Sequence, residues 1–119
     1  MNSQQKAINL LTICRKAGRV IVGFDAVKDA ALEKGVSCVI VTDDISLKTM
    51  KEVKFFCSNT KTKIIKIGIG KEDVFDAIGK ESVVLAIADY GFAKRFEELG
   101  DIVKATVPRS MKKKEENKF

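Results

Sequence analysis

Val20-Ile21-Val22-Gly23-Phe24-Asp25-Ala26-Val27-Lys28 is the stretch that decides how this chain is read. Three β-branched residues specify a short strand, a glycine follows, and apolar positions then recur at helical spacing. A strand that hands over to a helix at a glycine turns backbone N–H groups and the positive end of a helix dipole outward, which favours a phosphate. Arg15, Lys16 and Arg19 precede the junction and Lys28 follows it, so the junction is expected to sit among cations. The 119 residues carry 22 Lys and Arg against 16 Asp and Glu, a formal charge of +6, and no histidine. A basic chain with such a junction and no histidine is expected to offer a polyanion a surface, not to house a catalytic centre.

Outward from that junction, helix and strand patterns alternate in short units. Upstream, Asn2 and Gln5 open a helix whose apolar stripe is Ala7, Leu10, Leu11 and Cys14, and Gly18 closes it. Downstream, Val27, Ala30 and Ala31 face inward and Gly35 ends the second helix. Cys38-Val39-Ile40-Val41 is a continuous apolar run, as expected of a strand covered on both faces. Asp43, Asp44 and Ser46 are placed to cap the third helix, with Leu47, Met50, Val53 and Cys57 inward. The cycle repeats with a strand at Ile64, Ile65 and Ile67 and a short helix ending at Gly79. The strongest strand is Val83-Val84-Leu85-Ala86-Ile87-Ala88, and a last helix follows with Phe92, Phe96 and Leu99 inward. Such alternation implies an α/β/α sandwich around a small sheet.

Residues 1–100 are expected to form one domain. The remainder, 101–119, is a basic extension: Ile102–Val107 reads as an edge strand or a strap, and the segment after Pro108, with Lys112, Lys113 and Lys114, as a partly mobile tail. Cys14, Cys38 and Cys57 form no C-x-x-C pair and lie among apolar neighbours, so reduced buried thiols in a cytoplasmic protein are expected, with no metal site. No apolar run approaches the length of a membrane span, and no cofactor is implied.

The segments Ala17–Gly23, Cys38–Asp44, Ala77–Lys80 and Leu85–Ala93, in this order and spacing, resemble the kink-turn-binding superfamily of ribosomal proteins L-seven-Ae and L-thirty-e, most closely its small stand-alone bacterial members. The likeness covers residues 3–99 and implies a four-stranded mixed sheet between helices. It also implies that Gly23, Phe24, Asp25, Ala26 and Lys28 occupy the edge that grips sheared G·A pairs and the backbone of a kink-turn. Strong binders in the family read Gly-x-Asn-Glu there, where this chain has Phe24-Asp25-Ala26 after Gly23. The family's lysine falls one place on, at Asp29, so Lys28 is turned by about 100° around the helix and is expected to meet a backbone phosphate. The family's second element, the loop before the last strand, is Lys80-Glu81-Ser82-Val83 here, polar where strong binders are apolar. More phosphate contact and less base readout is the expectation.

Several motifs carry two readings. Lys48, Lys51 and Lys54 are either a solvated helix face or a phosphate track beside the junction. Phe24 is exposed by its place in the turn, and either stacks on an unpaired base or folds back as a hydrophobic staple. Asp89 either caps the last helix or bonds locally at the sheet edge. Gly68-Ile69-Gly70-Lys71 lacks the spacing of a nucleotide loop and reads as a strand-to-helix turn. Taken together, the chain is expected to be a non-enzymatic, monomeric protein that docks structured, kink-turn-like RNA, in or near the ribosome. The candidate contacts are Arg19, Gly23, Phe24, Asp25, Lys28, Lys48, Lys80 and Ser82. The alternative is an adaptor whose basic edge binds an acidic protein.

Overall fold

β2 (Cys38–Val41) and β4 (Val84–Ile87) are buried at every position and form the centre of one mixed sheet. The computed structural model describes residues 2–105, so the lysine-rich tail expected after Pro108 lies outside the described residues. Strand order is β1-β4-β2-β3-β5, with β1 (Val20–Val22), β3 (Ile64–Lys66) and β5 (Asp101–Val103) completing the sheet. β2 and β3 are parallel, and every other neighbouring pair is antiparallel.

The sheet therefore has five strands where the resemblance implies four. The fifth, β5, comes from the stretch read as edge strand or strap, and it pairs Val103 with Ile64 and Asp101 with Lys66. Without it, the outer ladder groups of β3 would lack partners, a standing liability of sheet edges.

Strand residues alternate between two cores, as the pleat requires. Cys38, Ile40, Ile65, Leu85 and Ile87 face one side, where α1 (Ser3–Lys16), α4 (Lys71–Ile78) and α5 (Tyr90–Leu99) cover them. Val39, Val41, Ile64, Val84 and Ala86 face the other, under α2 (Phe24–Leu32) and α3 (Leu47–Thr60). This is the three-layer sandwich expected from the alternation of periods. Phe96, fully buried, anchors α5 and contributes on the order of 2–3 kcal/mol of apolar burial.

Local expectations fare unevenly. Asn2 caps α1 through the Gln5 amide at 2.8 Å, and Gly18 closes that helix with φ of 72°. The left-handed residue after α2 is Lys34, with φ of 59°, not Gly35. Leu47, expected inward, is 83% exposed at the first position of α3, and Val53, Phe56 and Cys57 form the helix's buried face. Asp44 does not cap α3. Ser46 does, accepting from the Thr49 amide at 3.1 Å. Asp44 instead reaches the start of α4, 27 residues on, where it accepts from the Lys71 amide at 3.2 Å. Parallel β2 and β3 deliver the helices that follow them to the same end of the sheet, which is why a residue after β2 caps the helix after β3.

Candidate nucleic-acid interface

Strand direction sorts the molecule into two poles. β1, β2 and β3 end at one pole and antiparallel β4 begins there, so α2, α3, α4 and the loop 79–83 all meet at that end. The structure thereby brings Gly23, Phe24, Asp25, Lys48, Lys80 and Ser82 to one end of the sheet, with Lys28 one turn down α2. Arg19 is not among them. Its carbonyl accepts from the Ala88 amide at 2.9 Å, at the start of β1, while Gly23 follows the end of that strand. Four residues of extended chain separate them by about 13 Å. Arg15 and Lys16, at the C-terminal end of α1, share that opposite pole. The cations upstream of Gly23 in sequence are thus remote from it in space.

Gly23 has φ of 100° and ψ of 148°, a region closed to residues with a Cβ. This geometry lets its amide finish the ladder, donating to the Val84 carbonyl at 3.1 Å, while its own carbonyl accepts the Val27 amide at 2.9 Å and starts α2. A Cβ built at Gly23 would meet nothing within 4 Å, so the glycine is required by its dihedral angle and not by crowding; the space over it is open.

The next three amides, of Phe24, Asp25 and Ala26, precede the first intrahelical bond of α2, and no side chain caps them. The other helix starts at this pole are occupied. Ser46 takes the Thr49 amide in α3. In α4, Asp73 takes the Gly70 amide at 3.1 Å and Asp44 takes that of Lys71. The Gly68–Lys71 turn therefore has carboxylates where a phosphate would need free donors. Asp89 likewise caps α5 through the Phe92 amide at 2.9 Å, the first of its two readings. Among the described residues, α2 is the helix whose donors stay open.

Ser82 joins the second loop to this corner. Its hydroxyl donates to the Val84 carbonyl at 2.7 Å and accepts from the Val84 amide at 3.2 Å. One carbonyl thus holds both the Gly23 amide and the Ser82 hydroxyl. The serine's hydrogen-bonding capacity goes to positioning the loop. Lys80, two residues before it, is exposed, as are Asp25, Lys28 and Lys48. Glu81 lies 3.8 Å from Lys71, an exposed pair worth little on its own.

Phe24 is half-buried, not exposed. Its ring meets Phe56 edge-on, with centroids 5.6 Å apart at 74°, against the α2–α3 core. Of its two readings, the staple is the observed one. The ring walls a shallow apolar groove between α2 and α3, with Leu32, Phe55 and Phe56, rimmed by Lys28 and Lys51. Lys48 and Lys51 are exposed and Lys54 is half-buried, so the lysine stripe of α3 does run along the solvent face.

Asp44 is held below the usual carboxylate range, first by the Thr42 hydroxyl, which donates at 2.6 Å, and then by the Lys71 amide. The three thiols behave as core. Burial lifts Cys14 to about 11, with Asp89 adding to the shift and Arg19 opposing it, and lifts Cys38 and Cys57 to about 12. Neutral buried thiols are poor nucleophiles. Among the described residues, no cluster of three or more Cys, Asp or Glu could hold a metal ion, and no helix is long and apolar enough to cross a membrane.

The amides of Phe24, Asp25 and Ala26 stand open at the start of α2, as a strand meeting a helix at glycine implies, whereas the Val84 carbonyl that ties the two loops together has no signature in the local sequence. The pattern of β4 running against β1 and β2 would have been needed to find it, and strand direction is not written in periodicity.

Among known proteins, RNA-binding protein YlxQ of Enterococcus faecium is 34% identical over 98 residues, 82% of this chain and 93% of that protein. The Bacillus subtilis (strain 168) protein of the same name is 32% identical over 93 residues, 77% of this chain and 92% of its own. No protein-family profile matches the chain. Among solved structures, a protein of unknown function from Bacillus halodurans C superposes with a TM-score of 0.71 at 27% identity, covering 77% of this chain and 93% of that one. The Giardia lamblia 15.5 kD RNA binding protein superposes with a TM-score of 0.66 over 82% of this chain and 83% of its own; at 14% identity that likeness shows the fold alone.

Proposed function

The chain belongs to the YlxQ family, within the L-seven-Ae-like superfamily, and from that membership we propose that it is a non-enzymatic, monomeric protein that docks structured, kink-turn-like RNA. One observation carries the reading: the start of α2 at Gly23 is the helix N-terminus at its pole whose amides no side chain occupies. Three free donors, a dipole end and open space over a glycine form a cradle for a phosphate or a base-edge oxygen.

Around that cradle, Lys48 and Lys80 neutralise flanking phosphates and Lys28 reaches along the outer side of α2. Asp25 accepts from an amino group on a base edge, a contact that phosphate cannot make. The Ser82 loop, fixed by Val84, sets the second wall. Phe24 acts from behind, holding the first turn of α2 on α3. Buried, neutral thiols and carboxylates engaged in caps support a binding role over catalysis. The cytoplasm, and the ribosome or its assembly, are the setting we propose.

The test is a titration of a kink-turn RNA against a plain duplex of equal length at several salt concentrations. Tighter binding of the kink-turn, with affinity falling by roughly one power of salt for each phosphate neutralised, is expected. Equal binding of the two RNAs at every salt concentration would overturn kink-turn recognition.

A further inference from the structure

We infer that the pole opposite Gly23 is a second polyanion-binding surface, shaped for the phosphate backbone of an RNA duplex, so that one molecule joins two RNA segments. Only the choice of RNA as the polymer rests on the function proposed above.

The two poles differ in charge, and the difference runs against expectation. At the Gly23 pole, Lys48, Lys71 and Lys80 share the surface with Asp25, Asp44, Asp73 and Glu81. At the opposite pole, α1 ends in Arg15 and Lys16, and Arg19 leads into β1. Lys34 precedes β2, Lys61 and Lys63 precede β3, and Lys94 lies on α5 beside Ser37, Lys61 and Lys63. All seven cations are exposed. Carboxylates near them include Glu33, Asp89 and Glu97, and two of these have structural work. Asp89 holds the Phe92 amide, and Glu97 holds Lys63 at 2.6 Å.

Helix dipoles explain part of this pattern and not all of it. α1, α2 and α3 end at this pole, and each C-terminus attracts a cation with about half a negative charge. α5 begins here and its positive end opposes that attraction, so the dipoles alone do not account for seven cations.

A second, independent observation concerns backbone conformation. Lys34 and Lys61 have φ of 59° and 56°, and they are the two positive-φ residues other than glycine among the described residues. Glycine or asparagine fills that conformation with less steric cost. Both lysines close helices at this pole, so a lysine side chain stands at each of the two left-handed positions that glycine does not fill.

Dimensions fit a duplex better than a single phosphate. From β1, which follows Arg19, to β3, which follows Lys63, the sheet order places three strand spacings, about 14 Å. Lysine and arginine stems extend that span on both flanks, enough to engage phosphates on both strands of a helix. The depression at this pole is lined by Lys61, Lys63 and Lys94 with Ser37, Tyr90 and Glu97, and its cations suit a phosphate backbone more than a base edge.

The experiment compares the full chain with a variant carrying Lys34→Asn, Lys61→Asn and Lys94→Gln. Asparagine suits the left-handed positions, so loss of folding would not explain a loss of binding. A plain RNA duplex is titrated over a salt series. The variant is expected to bind at least ten-fold more weakly at low salt, with the slope of log affinity on log salt reduced by about two to three. Affinity for a minimal kink-turn RNA should stay within about twofold. In a capture arm, kink-turn RNA on a solid support, loaded with protein, should retain a labelled duplex with wild type and not with the variant.

Equal duplex affinity and salt slope for the two proteins would overturn the inference. Displacement of the duplex by polyglutamate at equal charge concentration would overturn it in favour of an acidic protein partner. Failure of kink-turn binding alone would sink the function proposed above and leave the duplex comparison to decide this one.

Discussion

The Gly23 amide donates to the Val84 carbonyl at 3.1 Å, joining the end of the first strand to the start of the fourth. The Ser82 hydroxyl reaches the same oxygen at 2.7 Å. Two loops separated by nearly sixty residues are thereby referenced to one atom, and the open start of α2 acquires a fixed wall. The precision of the corner comes from this shared acceptor.

Gly23→Ala is expected to cost about 1–2 kcal/mol, since φ of 100° is unfavourable for any residue with a Cβ. It should also weaken kink-turn binding, because the new methyl stands in the open space where RNA would approach. Gly18→Ala is the control. Its φ is 72° and a Cβ there also meets nothing, but it lies at the other pole. Urea midpoints should fall for both variants, and kink-turn affinity only for Gly23→Ala. Equal effects on affinity would remove the corner from the interface.

The Phe24–Phe56 pair is expected to show coupling. Phe56→Ala should cost about 3–5 kcal/mol as a core truncation, and half-buried Phe24→Ala less. In a double-mutant cycle the edge-on contact should appear as about 0.5–1.5 kcal/mol. Additive losses would mean that the ring does not hold α2 to α3.

Thiol burial predicts an alkaline loss of stability. Cys14, Cys38 and Cys57 stay protonated in the folded chain up to about 11 and 12, whereas the unfolded chain releases these protons near 8.5. Their contribution is therefore complete below the unfolded value and is lost as pH climbs from there towards 12. Urea midpoints should decline above about pH 9, and decline less steeply in a Cys57→Ala variant. Native protein should resist thiol reagents at pH 8 and react fully in denaturant.

Asp44 has the opposite sign. Hydrogen bonds from Thr42 and the Lys71 amide lower its folded value, so its contribution is present above the ordinary carboxylate value and is lost as pH falls from there through the lowered one. Asp44→Asn should destabilise the protein at pH 7, and the difference from wild type should close below about pH 4. A difference that persisted in acid would assign the effect to shape instead of charge.

Much of the architecture was legible in the chain. Continuous apolar runs at Cys38–Val41 and Val84–Ile87 declared central strands, and the stripe Ala7, Leu10, Leu11, Cys14 declared an amphipathic helix, because burial imposes a local period on each element. Gly23 announced its turn, since a strand meeting a helix there needs a backbone angle that only glycine adopts freely. The tertiary structure decided what shares a pole with what. Arg19 is four residues from Gly23 yet at the other end of the sheet, while Ser82 is remote in sequence and bonded to the same carbonyl. It also turned Phe24 inward onto Phe56 and lent Asp44 to a helix 27 residues away. Periodicity records which face a residue presents to its own neighbours. The direction in which each strand enters the sheet is set by which pairing buries the most apolar surface, a property of the whole chain that no local pattern carries.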